Sequence, residues 1–300
     1  MLRKDAELNH IHWATTRRRD YPRLMALAID HRSQLEDLAL EEAAVARIPA
    51  FKVLAVQAAR RVANGRPGFG MLLDDKYGRD ALFAAGAGQD LWVAKPIELP
   101  GSIPLQFEFS QDLGGRLIEW PVDHCIKVLC FYHPDDDAEL KREQTAKLVS
   151  AFDAARSVGR EILIEIIASK SGSLDDNTVA RALAELYDAG LKPDWWKLEP
   201  QASVAAWRAI DAVIAARDPY CRGVLLLGLE APIEALKHSF AVARTSAAVR
   251  GFAVGRTIFA EAAGRWLTGQ IGDDEAVDAM AARFATLVDL WLSLKKAVGA

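Results

Sequence analysis

Asp194-Trp195-Trp196-Lys197-Leu198-Glu199-Pro200 is a short apolar run that begins after Lys192-Pro193, carries a lysine near its middle and stops at a proline. Its length, its aromatic residues and the turn signals on either side read as a buried strand. Alternation puts Lys197 and Glu199 on one face of that strand, as a charged pair, and Trp196 and Leu198 on the other. A lysine is seldom buried without a partner, and loss of hydration penalises its ammonium form. The heptapeptide is therefore compatible with a structural ion pair and with an amine made reactive toward ketones at neutral pH.

The same unit of apolar strand, polar tip and helix recurs on both sides. Strands are expected at 24–29, 69–73, 91–94, 126–132, 162–167, 195–198, 224–227 and 252–254, and most are followed by a helical pattern. Behind the first strand a helix is expected over 33–47, with Ser33 and Glu36 in capping-box spacing, and another over 49–63. The third strand is followed by an irregular, proline-bearing insert over 96–121, and a final helix is expected from about 273 to 298. Near-continuous apolar strands fit a parallel sheet covered on both faces. Eight of them alternating with helices predict an α/β protein of the (β/α)8 TIM-barrel class over 22–300, with an N-terminal arm over 1–21 and an extra C-terminal helix. A doubly wound open sheet would need fewer strands or a domain break.

The chain has 300 residues, 51% of them hydrophobic, and a formal net charge of -4, which argues against the basic surface that nucleic acid requires. The run Arg17-Arg18-Arg19 is too short to alter that balance. Cys125, Cys130 and Cys221 give an odd count without a CxxC pair, so neither a disulfide framework nor a zinc ribbon is implied. Residues 1–21 are polar and no stretch approaches a membrane span, so a soluble cytoplasmic protein without membrane partners is expected. His10 and His12 form a metal-binding candidate that lacks further ligands nearby.

In a barrel the catalytic groups sit where strands meet the following loops. The charges there are Asp30, His31 and Arg32 from the first strand, Lys127 from the fourth, Glu165 from the fifth, and Lys197 with Glu199 from the sixth. Lys127 beside Lys197 would favour the free amine by like-charge repulsion, Glu165 could move protons, and Asp30 could orient substrate hydroxyls. Gly228 and Gly255-Arg256, after the last two strands, lie where barrels commonly cradle phosphate. A lysine amine, a proton-shuttling carboxylate and a phosphate cradle together point to a Schiff-base aldolase acting on a phosphorylated ketose.

The motifs Ala28-Ile29-Asp30-His31-Arg32, Met71-Leu72-Leu73-Asp74, Ile126-Lys127-Val128-Leu129, Ile164-Glu165-Ile166, Trp196-Lys197-Leu198-Glu199 and Gly255-Arg256-Thr257 resemble the class I tagatose-1,6-bisphosphate aldolase family over about residues 22–270. Thr15-Thr16-Arg17-Arg18-Arg19, Pro100-Gly101-Ser102-Ile103-Pro104-Leu105 and Phe131-Tyr132-His133-Pro134-Asp135-Asp136 are similar to the barrel domain fused behind a sugar kinase in bacterial myo-inositol catabolism. The resemblance implies cleavage of 5-dehydro-2-deoxy-6-phosphogluconate without metal or cofactor. It places the Schiff-base lysine on Lys197, the acid/base glutamate on Glu165, further catalytic groups on Lys127 and Asp30, and phosphate binding on Gly255 and Arg256, to which Gly228 is added from its place after the seventh strand. Glu199 joins the substrate-binding set, and His31 or Arg32 becomes the partner of the substrate carboxylate. The strand-one glutamine of the bisphosphate aldolases is His31 here.

No kinase precedes the barrel in this sequence, so a stand-alone form or an excised domain is expected. Homo-oligomerisation and association with a sugar kinase domain or another enzyme of that pathway stay open. The competing readings are a tagatose-bisphosphate or sulfosugar-phosphate aldolase and a non-catalytic sugar-phosphate-binding barrel.

Overall fold

The computed structural model of the chain describes residues 3–294 except Leu40, Gln89, Ser110, Gln111 and Leu229. Leu229, in the expected turn after the seventh strand, and the expected end of the last helix near 298 lie outside the described residues.

Eight parallel strands close into a barrel in sequence order. They are β1 (Leu24–Ala28), β2 (Phe69–Leu72), β3 (Trp92–Pro96), β4 (Cys125–Phe131), β5 (Ile162–Ile167), β6 (Trp195–Leu198), β7 (Gly223–Leu227) and β8 (Val249–Val254), which pairs back onto β1. The helices are α1 (Arg3–Thr15), α2 (Ser33–Leu38), α3 (Glu42–Val45), α4 (Ile48–Ala63), α5 (Arg79–Gly86), α6 (Leu113–Ile118), α7 (Ala138–Ser157), α8 (Thr178–Asp188), α9 (Val204–Arg217), α10 (Ile233–Ala243), α11 (Arg256–Leu267) and α12 (Asp273–Ser293). The fold is the expected (β/α)8 barrel. Among the described residues no helix is long and apolar enough to cross a membrane.

Local chemistry sets several boundaries. Pro49 sits in the first turn of α4, where its missing N–H is harmless, and Asn64 ends that helix in the left-handed region at φ 46°. The carboxylate of Asp137 caps α7 by accepting from the Glu139 and Leu140 amides, and the Ser203 hydroxyl caps α9 through the Ala206 amide.

The sheet separates two cores. Leu24, Ala26, Ala28, Leu72, Trp92, Ala94, Cys125, Leu163, Trp195, Leu225 and Ala253 fill the barrel interior. Alternate residues such as Ile126, Val128, Ile164, Ile166, Trp196 and Leu198 pack outward under the helices. Alternation therefore runs as read for β6, with Trp196 and Leu198 facing away from Lys197.

Four local expectations are corrected. The helix over 33–47 is broken into α2 and α3, and the residue preceding α2 is Arg32, with no side-chain cap. Ser33 and Glu36 form no capping box, because the Glu36 carboxylate instead accepts from Lys76 Nζ at 2.7 Å and the Tyr77 hydroxyl at 2.8 Å. The insert over 96–121 contains α6, started by the Asp112 carboxylate on the Gly115 amide. Residues 3–15 of the arm are the helix α1, with His10 Nε2 2.8 Å from an Asp218 carboxylate oxygen and Trp13 Nε1 donating to Asp194 at 2.8 Å. His10 is thus committed to Asp218 rather than to a ligand set with His12.

Candidate active site

Strand parity delivers the charged residues to one place. On β4 the inward sequence is Cys125, then Lys127; on β5 it is Leu163, then Glu165; on β6 it is Trp195, then Lys197. Glu165 and Lys197 are register partners across β5 and β6, so their side chains emerge side by side. Asp30 continues the inward parity of Ala26 and Ala28 just past the end of β1.

The four groups form one buried chain. Glu165 places one carboxylate oxygen 2.8 Å from Lys197 Nζ and the other 3.0 Å from Lys127 Nζ. Lys127 also reaches Asp30 at 3.1 Å and Glu98 at 2.7 Å, so a single ammonium serves three carboxylates. The two amines do not simply face each other, since the Glu165 carboxylate stands between them. Nor does Lys197 pair with Glu199, as the single strand had implied.

Proton affinities follow from this packing. Burial would raise the Asp30 carboxyl, but Lys127, then His31, Lys197 and Arg32, outweigh it and hold it well below the usual carboxylate range. Burial likewise opposes ionisation of Glu165, and Lys127 and Lys197 override it, leaving that group below its ordinary value. Burial disfavours the Lys127 ammonium, yet Asp30, Glu165 and Glu98 more than compensate and raise it well above an ordinary lysine. At Glu98 burial wins over Lys127 and Arg32 and the carboxyl is raised.

The remaining expected residues fall into distinct positions. Burial pushes His31 down to about 3 despite the Asp30 carboxylate 3.9 Å away, so near neutral pH it is an uncharged ring packed edge-on against Phe259. It is not the cation that a substrate carboxylate would need. Arg32 is buried and already occupied, donating to the Asp30 carbonyl at 3.0 Å and the Glu98 carbonyl at 3.0 Å, with Glu108 at 3.2 Å from its Nε. Glu199 accepts from the Ala168 amide at 2.7 Å and the Ser169 amide at 3.1 Å, which fixes the loop after β5 and takes Glu199 out of the cavity lining.

Gly228, Gly255 and Arg256 line the same cavity as Asp30, Lys127, Glu165 and Lys197, a space of about 390 Å³ at the C-terminal ends of the strands. A Cβ on Gly255 would stand 2.4 Å from the Ala28 carbonyl and 2.5 Å from His31, so only glycine fits between β1 and β8 here. Arg256 opens α11 and forms an ion pair with Glu230, a residue at φ 60°.

Two groups escaped the sequence reading. Glu98 is one: the third strand was expected to stop at Ala94, whereas it runs through Pro96, and the parity Trp92, Ala94, Pro96 carries on inward to Glu98. A proline tolerated at the strand end is the signal that would have found it. The other is Lys52 on α4, fully buried, which donates to the Ile29 and His31 carbonyls at 2.8 Å each and pairs with Asp74. Burial lowers its proton affinity against the pull of Asp74, and its bonds pin the backbone on either side of Asp30.

Chemically, the cavity offers one amine hydrogen-bonded to a carboxylate, a second fixed positive charge behind that carboxylate, and a glycine-lined rim with an arginine. Among solved structures the chain is similar to the Corynebacterium glutamicum protein Cgl0159, at 23% identity and TM-score 0.59, covering 95% of this chain and 92% of that one. It is also similar to the fructose-bisphosphate aldolase of Plasmodium falciparum, solved with TRAP and a small-molecule inhibitor, at 11% identity and TM-score 0.64, covering 98% and 97%. At these identities the likeness speaks for the barrel fold. No curated protein matches the chain. Residues 1–295 match the family described as "Uncharacterized protein conserved in bacteria (DUF2090)", and the chain belongs to that family.

Proposed function

We propose that this chain is a class I aldolase that cleaves 5-dehydro-2-deoxy-6-phosphogluconate into dihydroxyacetone phosphate and malonate semialdehyde. The observation that carries the reading is the Glu165 carboxylate held between Lys197, at 2.8 Å, and Lys127, at 3.0 Å, inside a closed barrel mouth. Glu165 accepts a proton from Lys197 across that contact, which frees the amine to attack the substrate ketone. Glu165 returns that proton to the carbinolamine hydroxyl, which leaves as water, so an iminium forms and the carboxylate is free to act again. As the carbon–carbon bond breaks, its electrons enter the iminium to form an enamine, and Glu165 removes the proton from the hydroxyl beside the breaking bond. Reprotonation and hydrolysis of the enamine release dihydroxyacetone phosphate and restore Lys197.

Lys127 keeps the Glu165 carboxylate in place and supplies positive charge when the neighbouring groups exchange protons. Asp30, ionised and fixed by Lys127, accepts hydrogen bonds from substrate hydroxyls. Gly228, Gly255 and Arg256 hold the phosphate, whose charge competes with Glu230 for the Arg256 guanidinium. Lys170 on the cavity rim has no acidic partner within 4 Å among the described residues, and it replaces His31 and Arg32 as the partner assigned to the substrate carboxylate.

The test is borohydride reduction in the presence of dihydroxyacetone phosphate, followed by peptide mass spectrometry. The expected result is a trapped adduct on Lys197, absent from K197M. An adduct on another lysine, or none on folded protein, would overturn the Schiff-base reading. Turnover of the keto acid phosphate against tagatose bisphosphate then decides the substrate.

A further inference from the structure

The run Arg17-Arg18-Arg19 takes no part in the candidate active site. It lies at the opposite, N-terminal end of the barrel, where Trp13 and Arg17 both bond Asp194 at the start of β6, at 2.8 and 3.1 Å. With Trp13, Tyr21, Trp92, His124 and Arg160 it lines a separate cavity of about 350 Å³. That volume is at the small end of ordinary ligand pockets.

The charges around this cavity do not balance. Asp194 is taken by Arg17 and Arg156, Asp123 by Arg19 at 3.1 Å, and Glu161 by Arg222 at 2.7 Å. Among the described residues Arg18 and Arg160 have no carboxylate within 4 Å. Arg160 is only 5% exposed; its terminal nitrogens donate to the Val158 and Trp120 carbonyls, and its buried Nε has no acceptor. His124 Nδ1 is likewise buried without a partner.

A guanidinium taken out of water without counter-charge is costly unless an anion joins it. Burial, then the nearby Arg18, lowers the proton affinity of Arg160 against the opposing pull of Asp123. Burial, reinforced by Lys95, pushes His124 down to about 4, so its ring is neutral and adds no third charge.

We propose that this cavity is a second binding site, for a small phosphate monoester with a planar organic part. Arg18 and Arg160 together match the charge of a phosphate monoester near neutral pH, which is about -1.5 to -2. Trp13 and Tyr21, each with a guanidinium already over its ring, line the cavity together with Trp92 and give the remainder of the molecule apolar surface. Trp13 belongs to α1 and bonds Asp194, so the site sits where α1 meets the start of β6.

The probe is phenyl phosphate, with inorganic phosphate beside it, titrated calorimetrically into the full chain and into R18A, R18K and R256A. Arg18 is exposed, so its replacement leaves the fold intact. Binding of phenyl phosphate should persist in R256A, weaken about tenfold or more in R18A and recover in part in R18K. Inorganic phosphate should bind the same site more weakly, lacking the ring. A single binding event removed by R256A and untouched by R18A would overturn the second site, as would the absence of binding by either probe. Binding that depends on Arg18 stands even where Lys197 yields no borohydride adduct, so the two readings fail separately.

Discussion

Replacing Lys127 by methionine removes one ammonium from three buried carboxylates while keeping much of the side-chain volume. Asp30, Glu98 and Glu165 approach its Nζ at 3.1, 2.7 and 3.0 Å, and each is about one-twentieth exposed or little more. Breaking a buried pair by removing one partner costs about 3–5 kcal/mol. For a domain of this size that corresponds to a fall in Tm of roughly 5–8 °C at pH 7. The carboxylates can escape the penalty only by taking up protons, which fixes the sign of the pH dependence. In the parent protein Asp30 and Glu165 lie below their ordinary values, so their contribution is present above about pH 4–5 and is lost as pH falls. In K127M the largest charge opposing burial is lost, so the same carboxyls should move upward and their protonation at lower pH should relieve the penalty. The gap between the two proteins should therefore be widest near pH 7 and narrow toward pH 5. Scanning calorimetry from pH 5 to 8 reads this directly, with K141M as comparator, because Lys141 pairs with the part-exposed Glu185 and should change stability by about 1 kcal/mol or less. A loss below about 2 °C at pH 7, or one that does not narrow with acidification, would refute the account of Lys127 as the hub of the cluster.

His31 provides a second pH test. Its folded value of about 3 lies below the unfolded value of 6.5, so between these limits the unfolded chain binds a proton that the folded ring refuses. Stability from this ring is full above pH 6.5 and falls as pH drops, by about 2 kcal/mol at pH 5. Urea denaturation of H31Q should show a correspondingly flatter decline between pH 7 and 5; an unchanged slope would contradict it. Glu199→Ala removes the acceptor of the Ala168 and Ser169 amides, so amide exchange in that loop should accelerate while the borohydride adduct on Lys197 still forms. Unaltered protection at those amides would mean that Glu199 does not anchor the loop.

Most of the fold was legible because parallel barrel strands are buried on both faces and so appear as apolar runs of the right length between turn signals. β5 and β6 match the residues expected of them, β1, β2 and β7 differ by one residue at one end, and β4 is shifted by one residue at both. The misses occur where local patterns compete with longer-range partners. Ser33 and Glu36 have capping-box spacing, yet Lys76 and Tyr77, from the segment after β2, claim the Glu36 carboxylate. Glu199 shares strand parity with Lys197, yet two amides beyond β5 claim it. Neither competitor is near in sequence.

The period-two alternation of the strands was enough to nominate Asp30, Lys127, Glu165 and Lys197, since a charge in an apolar strand stands out whatever it touches. What each charge touches was decided only by closure of the barrel. That closure set Glu165 between two lysines, turned Lys127 into the partner of three carboxylates, brought in Glu98 from beyond a proline, and left His31 neutral by burying it beside Phe259. Parity is a property of the backbone of one strand, whereas charge pairing and desolvation depend on residues that only the folded chain brings together.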